Sequence, residues 1–494
     1  MSDPPPRRTF ATVMGRRYRS KYKDFDAVEI TGIADRGTVV GRSAEGEVVF
    51  ARGPVPGDVV DLTARRKKGV YQEGVARGYR RFAEGRTPPF CRHFGACGGC
   101  AYQHMAYGLQ LEAKTQLVAD AYRRIGGLDL GLEPILAAPS ERGYRNKMEY
   151  AFADRRWLTE EEVALGHATE GAALGFHRRG AWDKVLDIRR CHLQDERGDR
   201  LRNTLREVGL AQGLTFYNER THEGFLRKAM LRVLDGGEVM LLLMFGAEDA
   251  AAARAYVDAV LARCAFVTTV YTVVNDKLND SLSGLSPKLD HGPPHVTEAF
   301  GHVRFRIGPL SFFQTNTAQA IRLYDVVAAY AGLDGTQNVY DLYAGVGSIG
   351  LYLARRARQV VAIEEVAAAI EDAGENARLN GISNFVGYAG DVGAVLTAAF
   401  AKTHGPPDVV VTDPPRAGMH ADVVAMLLRL GAPRIVYVSC NPATQARDLR
   451  LLVEGGYRVT RARPVDMFPQ TPHCEAVAVL ERSPALGLAG GESE

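Results

Sequence analysis

The sequence predicts an α/β protein with a doubly wound, mostly parallel sheet in its C-terminal part, a mixed α/β centre and a small β-barrel near its N-terminal end. Three observations predict this. From Gln337 onward, short apolar strand patterns alternate with helical ones, as they do when crossover helices connect parallel strands. Between Ala27 and Ala76, five short strand patterns follow one another, punctuated by Gly, Pro and Asp. The chain has 494 residues, too many for one ordinary core.

The N-terminal strands are expected at Ala27–Ile33, Gly37–Gly41, Glu47–Ala51, Asp58–Thr63 and Val70–Ala76. Five short strands in so few residues fit an OB-like barrel. This end is also basic. Residues 1–90 hold 18 Lys and Arg against 11 Asp and Glu, a balance of +7, whereas the whole chain carries only +3. A basic module on a near-neutral chain suggests a polyanion-binding role. Arg65-Arg-Lys-Lys68 is expected in the barrel's last turn, and the segment resembles the TRAM domain of RNA-modifying enzymes.

The composition is that of an ordinary globular protein, with 46% hydrophobic and 24% charged residues. No apolar run is long enough to cross a membrane; Val239–Phe245 is strand length. Met1–Arg8 lacks the apolar core of a secretory leader, so a cytoplasmic location is expected. Such a location favours metal binding over disulfides for the group Cys91, Cys97 and Cys100, with Cys191 as the best long-range fourth ligand. Four thiolates suit zinc or a [4Fe–4S] cluster, and the three-plus-one pattern leans toward iron–sulfur. His93, His104 and His192 are substitute zinc ligands on paper, but solvent-facing positions are expected for all three. Cys264 reads as core.

The centre, roughly Met105 to Gly308, is chemically reticent. Tyr144-Arg-Asn-Lys-Met-Glu-Tyr150 alternates basic and aromatic residues, as RNA-binding surfaces and edge strands both do, and Phe176-His-Arg-Arg179 adds basic residues in a turn. Pro309-Leu-Ser-Phe-Phe-Gln-Thr-Asn316 precedes an amphipathic helix expected at Ala318–Tyr330, with Asn316 or Thr317 as its cap.

In the C-terminal sheet every polar singularity falls at a strand's carboxyl end, where such sheets bind ligands. Asp341 ends the first strand, Glu364 the second, Asp391 follows the third, Asp413 ends the fourth and Cys440 the fifth. Gly345-x-Gly347-x-x-Gly350 turns the first strand into a helix, and Glu364 stands 19 residues past Gly345. In the dinucleotide fingerprint the first glycine ends the strand. Here Asp341-Leu-Tyr-Ala intervenes, so the loop resembles the S-adenosylmethionine loop of doubly wound methyltransferases. Glu364 is suited to a ribose diol, Asp391 to an adenine amino group. Asp413-Pro-Pro-Arg416 carries Arg416 where amino-methylating enzymes place an aromatic, which disfavours exocyclic amine chemistry.

Cys440, in Val436-Tyr-Val-Ser-Cys-Asn-Pro442, is the residue that decides the chemistry. Uracil C5 is too electron-poor to attack a sulfonium methyl, but a thiolate added at C6 makes C5 an enolate carbon. The site is therefore expected to favour the thiolate. After methylation C5 still holds its proton, and Glu475 is the candidate base. Neighbouring Cys474 reads as a buried residue.

Taken together, these motifs resemble the RNA uracil-5 methyltransferase family from about Asp24 to Arg482. The resemblance rests on the barrel, the four cysteines, Ser311-Phe-Phe-Gln-Thr-Asn316, the donor loop, Asp413-Pro-Pro-Arg416, Ser439-Cys-Asn-Pro442 and His473-Cys-Glu475. It implies a TRAM barrel at 22–85, a central domain at 86–308 with the iron–sulfur cysteines, and a Rossmann-like S-adenosylmethionine-dependent methyltransferase domain at 309–484. It further implies Gln314, Tyr343, Ser348, Glu364, Asp391 and Asp413 at the cofactor and target base, Cys440 as nucleophile, Glu475 as proton acceptor and a [4Fe–4S] cluster on Cys91, Cys97, Cys100 and Cys191. The partner is RNA, with 23S ribosomal RNA preferred over transfer RNA because barrel and cysteines occur together; no membrane or obligate protein partner is implied. A cytosine-5 methyltransferase, a dehydrogenase and a non-catalytic RNA-binding relative are the rivals.

Overall fold

The computed structural model describes residues 22–34, 37–67, 71–178 and 181–483. The chain forms two compact units. One takes the chain through Phe90 together with Ala101–Leu117 and Gln470–Pro472; the other takes Cys91–Cys100, Val118–Pro469 and the chain from His473 onward.

The first unit is built on a closed five-stranded barrel of order β1-β2-β3-β5-β4. Its strands are β1 (Tyr22–Ala34), β2 (Thr38–Arg42), β3 (Val48–Arg52), β4 (Val59–Lys67) and β5 (Tyr71–Arg81). Inward positions carry Val28, Ile30, Val39, Val49, Val60 and Leu62, and Tyr102, Met105 and Ala113 pack against the same core. Buried Asp58 closes the unit by accepting from Val55 N, Ala83 N and the Arg86 guanidinium. Arg65, Arg66 and Lys67 lie in the strand, with Arg65 opposite Glu73 of β5, and not in a turn as expected. Lys68 falls outside the described residues.

The second unit contains two seven-stranded sheets. The first has the order β12-β11-β10-β9-β6-β7-β8. Its strands are β6 (Lys147–Trp157), β7 (Glu170–Arg178), β8 (Ala181–Asp187), β9 (Leu226–Val233), β10 (Val239–Phe245), β11 (Thr269–Val274) and β12 (Lys288–His291). β10 is buried along its whole length, which explains its unbroken apolar run. β6 is an internal strand, and Tyr150 is fully buried, donating to Gln194 and packing on Phe176. The basic–aromatic alternation there is thus partly core. Arg179 lies outside the described residues. A hairpin of β13 (Val296–Phe300) and β14 (Val303–Ile307) follows.

The second sheet has the order β17-β16-β15-β18-β19-β21-β20. It comprises β15 (Asn338–Leu342), β16 (Gln359–Glu364), β17 (Phe385–Ala389), β18 (Val409–Thr412), β19 (Arg434–Ser439), β20 (Tyr457–Val465) and β21 (Glu475–Arg482). The first five are parallel and β21 runs antiparallel to β19, giving the doubly wound sheet the sequence predicts. No described helix is long and apolar enough to cross a membrane.

Candidate active site

The parallel strands bring their carboxyl ends to one edge, and the chemistry collects there. Asp341 is almost fully buried, and its Oδ2 accepts the Gly350 N–H at 2.8 Å. A Cβ at Gly350 would stand 2.7 Å from that oxygen, so only glycine lets the loop close on the acid. Gly347, at φ +74°, starts the helix Ser348–Leu353. Tyr343 adopts φ +62°, a left-handed conformation uncommon for a bulky side chain, at the turn out of β15. Burial and then the Asp391 charge push its phenol up to about 12.

Glu364 accepts the Gly345 and Val366 N–H groups, one on each carboxylate oxygen at 2.9 Å, which ties the glycine loop to the end of β16. Each oxygen keeps a further lone pair for a ligand. Asp391 is exposed and caps the short helix Val392–Val395 through Ala394 N. Gln314 is held by its backbone, whose oxygen accepts from Asn146 Nδ2 at 3.0 Å. Asn316, one of the two expected caps, does cap the helix Thr317–Ala331, and its Nδ2 donates to Met467 O.

The antiparallel partner of β19 supplies the remaining piece. Ser439 pairs with Ala476, so the residue after one, Cys440, and the residue before the other, Glu475, are brought side by side. The Glu475 charge acts on Cys440. Burial, then Glu475 and Asp413, push the Cys440 thiol up to about 12, with Arg416 opposing. Burial and then Asp413 push Glu475 up to about 8, again with Arg416 opposing. Burial raises Asp413 to about 7 although part of its surface remains accessible. Asp341 reaches about 7 through burial, Asp413 and Glu364. The resting site therefore favours the thiol, against the thiolate expected from the sequence, because burial, reinforced by the carboxylates, outweighs Arg416.

The Arg416 loop is pinned to the Cys440 loop: Asn441 Nδ2 and Thr444 Oγ1 donate to Arg416 O at 2.9 and 3.2 Å. Arg416 Nη2 donates to His473 Nδ1 at 3.3 Å. Cys474 is buried, its Sγ 3.3 Å from Glu475 O and 3.7 Å from Val465 O, so it belongs to the core.

A family model described as tRNA (Uracil-5-)-methyltransferase matches residues 299–483, which include this whole edge. An RNA methyltransferase of Bacteroides thetaiotaomicron is 44% identical over 439 residues, covering 88% of this chain and 96% of the relative. The chain belongs to the RNA uracil-5 methyltransferase family. An RNA methyltransferase of Chlorobaculum tepidum is 39% identical, covering 94% of this chain and 98% of its own length. The solved tRNA (uracil-54, C5)-methyltransferase of Pyrococcus abyssi, in complex with S-adenosyl-L-homocysteine, is 28% identical with a TM-score of 0.69. That match covers 92% of this chain and all of the other.

Within this methyltransferase, one site-facing residue gives no sequence signal. Tyr324, fully buried on the helix Thr317–Ala331, shares a 2.8 Å hydrogen bond with Ser348 Oγ. Gln314 also bonds its hydroxyl, and burial, partly offset by these bonds, raises the phenol. A tyrosine on an amphipathic helix looks like any other core aromatic.

The cysteine group departs from expectation. Cys91, Cys97, Cys100 and Cys191 are all half-buried, and Cys91 acts on Cys97 and Cys97 on Cys191. Among the described residues, however, no group of three or more His, Cys, Asp or Glu is arranged to hold a metal ion. Burial raises the thiols of Cys91, Cys97 and Cys191, the last up to about 11, and neutral thiols have no attraction that would draw them to one point. His93 and His104 are buried, not solvent-facing as expected. His93 Nδ1 lies 4.0 Å from Cys91 Sγ.

Proposed function

We propose that this enzyme methylates C5 of uridine in RNA through a covalent Cys440–C6 adduct, with S-adenosylmethionine as donor. The pairing that puts Cys440 beside Glu475 carries the reading. The donor loop fits that ligand: the glycines leave an open turn closed from below by Asp341, and Glu364 and Asp413 line its rim. Tyr343, Ser348, Gln314, Glu364, Asp391 and Asp413 would hold the donor and the target base. When bound, the donor supplies an electrophilic methyl group.

The chain's own residues do the rest. Cys440 must lose its proton before attack, and the raised Glu475 and Asp413 are the bases near enough to influence it. The sulfur bonds to C6 and the C5–C6 π pair becomes an enolate. C5 then forms its bond to the methyl carbon as the donor's sulfur–methyl bond breaks, the electron pair staying on that sulfur and S-adenosylhomocysteine leaving. Glu475 takes the C5 proton, the C5–H pair re-forms the double bond and the C6–S bond breaks with its electrons returning to sulfur. A carboxylate near 8 is a stronger base than an ordinary one, which suits abstraction of a carbon-bound proton.

The test separates the two roles. Cys440→Ala gives neither 5-methyluridine nor a denaturant-stable adduct. Glu475→Gln accumulates an adduct carrying the transferred methyl, seen on a denaturing gel with methyl-labelled donor. An adduct mapped to Cys474, or normal turnover by Glu475→Gln, contradicts the assignment.

Two finer readings accompany it. Ribosomal RNA is preferred to transfer RNA because of the barrel and cysteines, although the Pyrococcus neighbour bears on transfer RNA. Mapping 5-methyluridine in both RNA classes, with and without the gene, decides between them. An iron–sulfur cluster held by Cys91, Cys97, Cys100 and Cys191 rests on their three-plus-one spacing in the sequence, with Cys91 acting on Cys97 and Cys97 on Cys191. Anaerobically prepared protein then carries about four iron and four sulfide per chain; stoichiometric zinc without sulfide overturns it. The partition into a TRAM barrel (22–85), a central domain (86–308) and a methyltransferase domain (309–484), and a cytoplasmic location, belong to the same proposal.

A further inference from the structure

The β8 edge of the first seven-stranded sheet carries a surface that the chemistry above does not use. The chain's two tryptophans, Trp157 and Trp182, both lie there. Trp157 of β6 pairs with Leu186 of β8, and Phe176 of β7 pairs with the same Leu186, so these three side chains point to one side. Side chains two apart on a strand share a face. That rule puts Trp182 and Lys184 with Leu186; the pairing shifts between His177 and Arg178, so Arg178 is placed by its contact with Trp157. The observed contacts agree: the Arg178 guanidinium lies 4.1 Å from the Trp157 ring centroid and the Lys184 ammonium 5.8 Å from it.

The face grades from apolar to open. Leu186 is buried, Phe176 packs on Tyr150 at 4.9 Å, and Trp182 at the far end is 64% exposed. An indole this exposed on an edge strand loses the burial that ordinarily keeps tryptophan inside. The charges on the face are selective. Neither Arg178 nor Lys184 forms an ion pair among the described residues, whereas neighbouring charges are matched. Glu170 faces Arg155 at 3.7 Å, and on the opposite face Asp183 binds Arg220 at 2.5 Å. Lys184 is felt by Glu170 and Asp183 only at longer range, so the face keeps two cations without a direct ion pair beside two indoles.

We propose that this face is a second RNA-contacting surface, binding an unpaired stretch of the substrate RNA. Trp182 stacks on an unpaired base while Arg178 and Lys184 engage the adjoining phosphates. An exposed π-face beside cations without a direct ion pair is the combination that single-stranded nucleic acid recognises: stacking is tolerant of sequence, and the cations follow the backbone. A duplex, whose bases are already stacked, offers phosphates without a ring face. The inference rests on the RNA-modifying reading of the active site and assigns to this face a part in substrate binding, not in chemistry.

Because both tryptophans are on the face, intrinsic emission of the full-length protein reports on it directly. The probes are a twelve-residue oligouridylate, an RNA duplex of equal length and heparin. The oligouridylate changes the emission of Trp157→Phe, where Trp182 is the sole emitter, and the duplex changes it far less. Trp182→Ala weakens oligouridylate binding about tenfold, as loss of one base stack does, and circular dichroism confirms that the fold is kept. Arg178→Ala with Lys184→Ala lowers the slope of log affinity against log salt by about 1.4, for two phosphates on a single strand. Methyl transfer by Trp182→Ala survives at saturating RNA, with KM raised and kcat kept.

Unchanged affinity in Trp182→Ala overturns the proposal, as does equal emission change with heparin and oligouridylate. Failure of the enzymatic reading looks different: the wild-type protein would transfer no methyl to any RNA, whereas the emission titration would still decide the surface.

Discussion

The most informative perturbation of the active site is a pH jump applied to the covalent adduct, compared between the wild-type enzyme and Glu475→Gln. Glu475 is 7% exposed, and burial beside Asp413 holds its carboxyl near 8. At pH 7 about a tenth of the population carries the carboxylate, and at pH 9 about nine-tenths does. Loss of the C5 proton needs the ionised form, so adduct decay rises with pH, by about tenfold across those two units. Glutamine keeps the shape and cannot take the proton, and loss of a general base costs about 10²- to 10⁴-fold. The Gln adduct therefore decays slowly and without the pH dependence. The assay forms adduct in a single turnover with methyl-labelled donor, jumps the pH, quenches in denaturant and counts label still migrating with protein. Equal wild-type decay at pH 7 and pH 9, or wild-type decay by the Gln variant, refutes Glu475 as the base.

Three further outcomes follow from the same geometry. Gly350→Ala sets a Cβ 2.7 Å from Asp341 Oδ2 and 3.0 Å from Val360 Cγ1, so it lowers stability by about 1–3 kcal/mol and abolishes donor binding, read by thermal melting and calorimetric titration. Tyr324→Phe removes the 2.8 Å bond to Ser348 and weakens donor affinity about fivefold, roughly 1 kcal/mol, measured by titration with S-adenosylhomocysteine. Asp341→Asn tests the buried acid through linkage. The folded chain holds the Asp341 proton up to about pH 7, whereas an unfolded aspartate loses it near 4, so the wild type loses stability as pH rises through that window. The Asn variant does not, and its stability relative to wild type grows from pH 4 to pH 7 by up to about 4 kcal/mol in denaturant titrations.

The parallel sheet and its strand ends are legible in the sequence because alternating apolar runs and acids at fixed offsets follow from backbone geometry alone. The five barrel strands are legible for the same reason, apart from the basic run, which lies within β4 instead of a turn because the strand continues past Thr63. What is not legible depends on long-range pairing. Cys440 and Glu475 become neighbours only because β21 returns antiparallel to β19, which no local pattern announces. Tyr150 is hidden because β6 is internal, and internal and edge strands share one alternation. The raised Cys440 thiol is the sum of burial and two carboxylates against one guanidinium, a balance set by three-dimensional proximity. Tyr324 and the two buried histidines were equally beyond a reading that sees composition but not enclosure.

The central claim, uridine C5 methylation through Cys440, is tested most directly on the product itself. RNA from cells lacking the gene is incubated with purified enzyme and methyl-labelled S-adenosylmethionine, digested to nucleosides and separated. The label is predicted in 5-methyluridine with wild-type protein and absent with Cys440→Ala. Label in 5-methylcytidine or in a ribose-methylated nucleoside, or 5-methyluridine made by the Cys440→Ala protein, would contradict it.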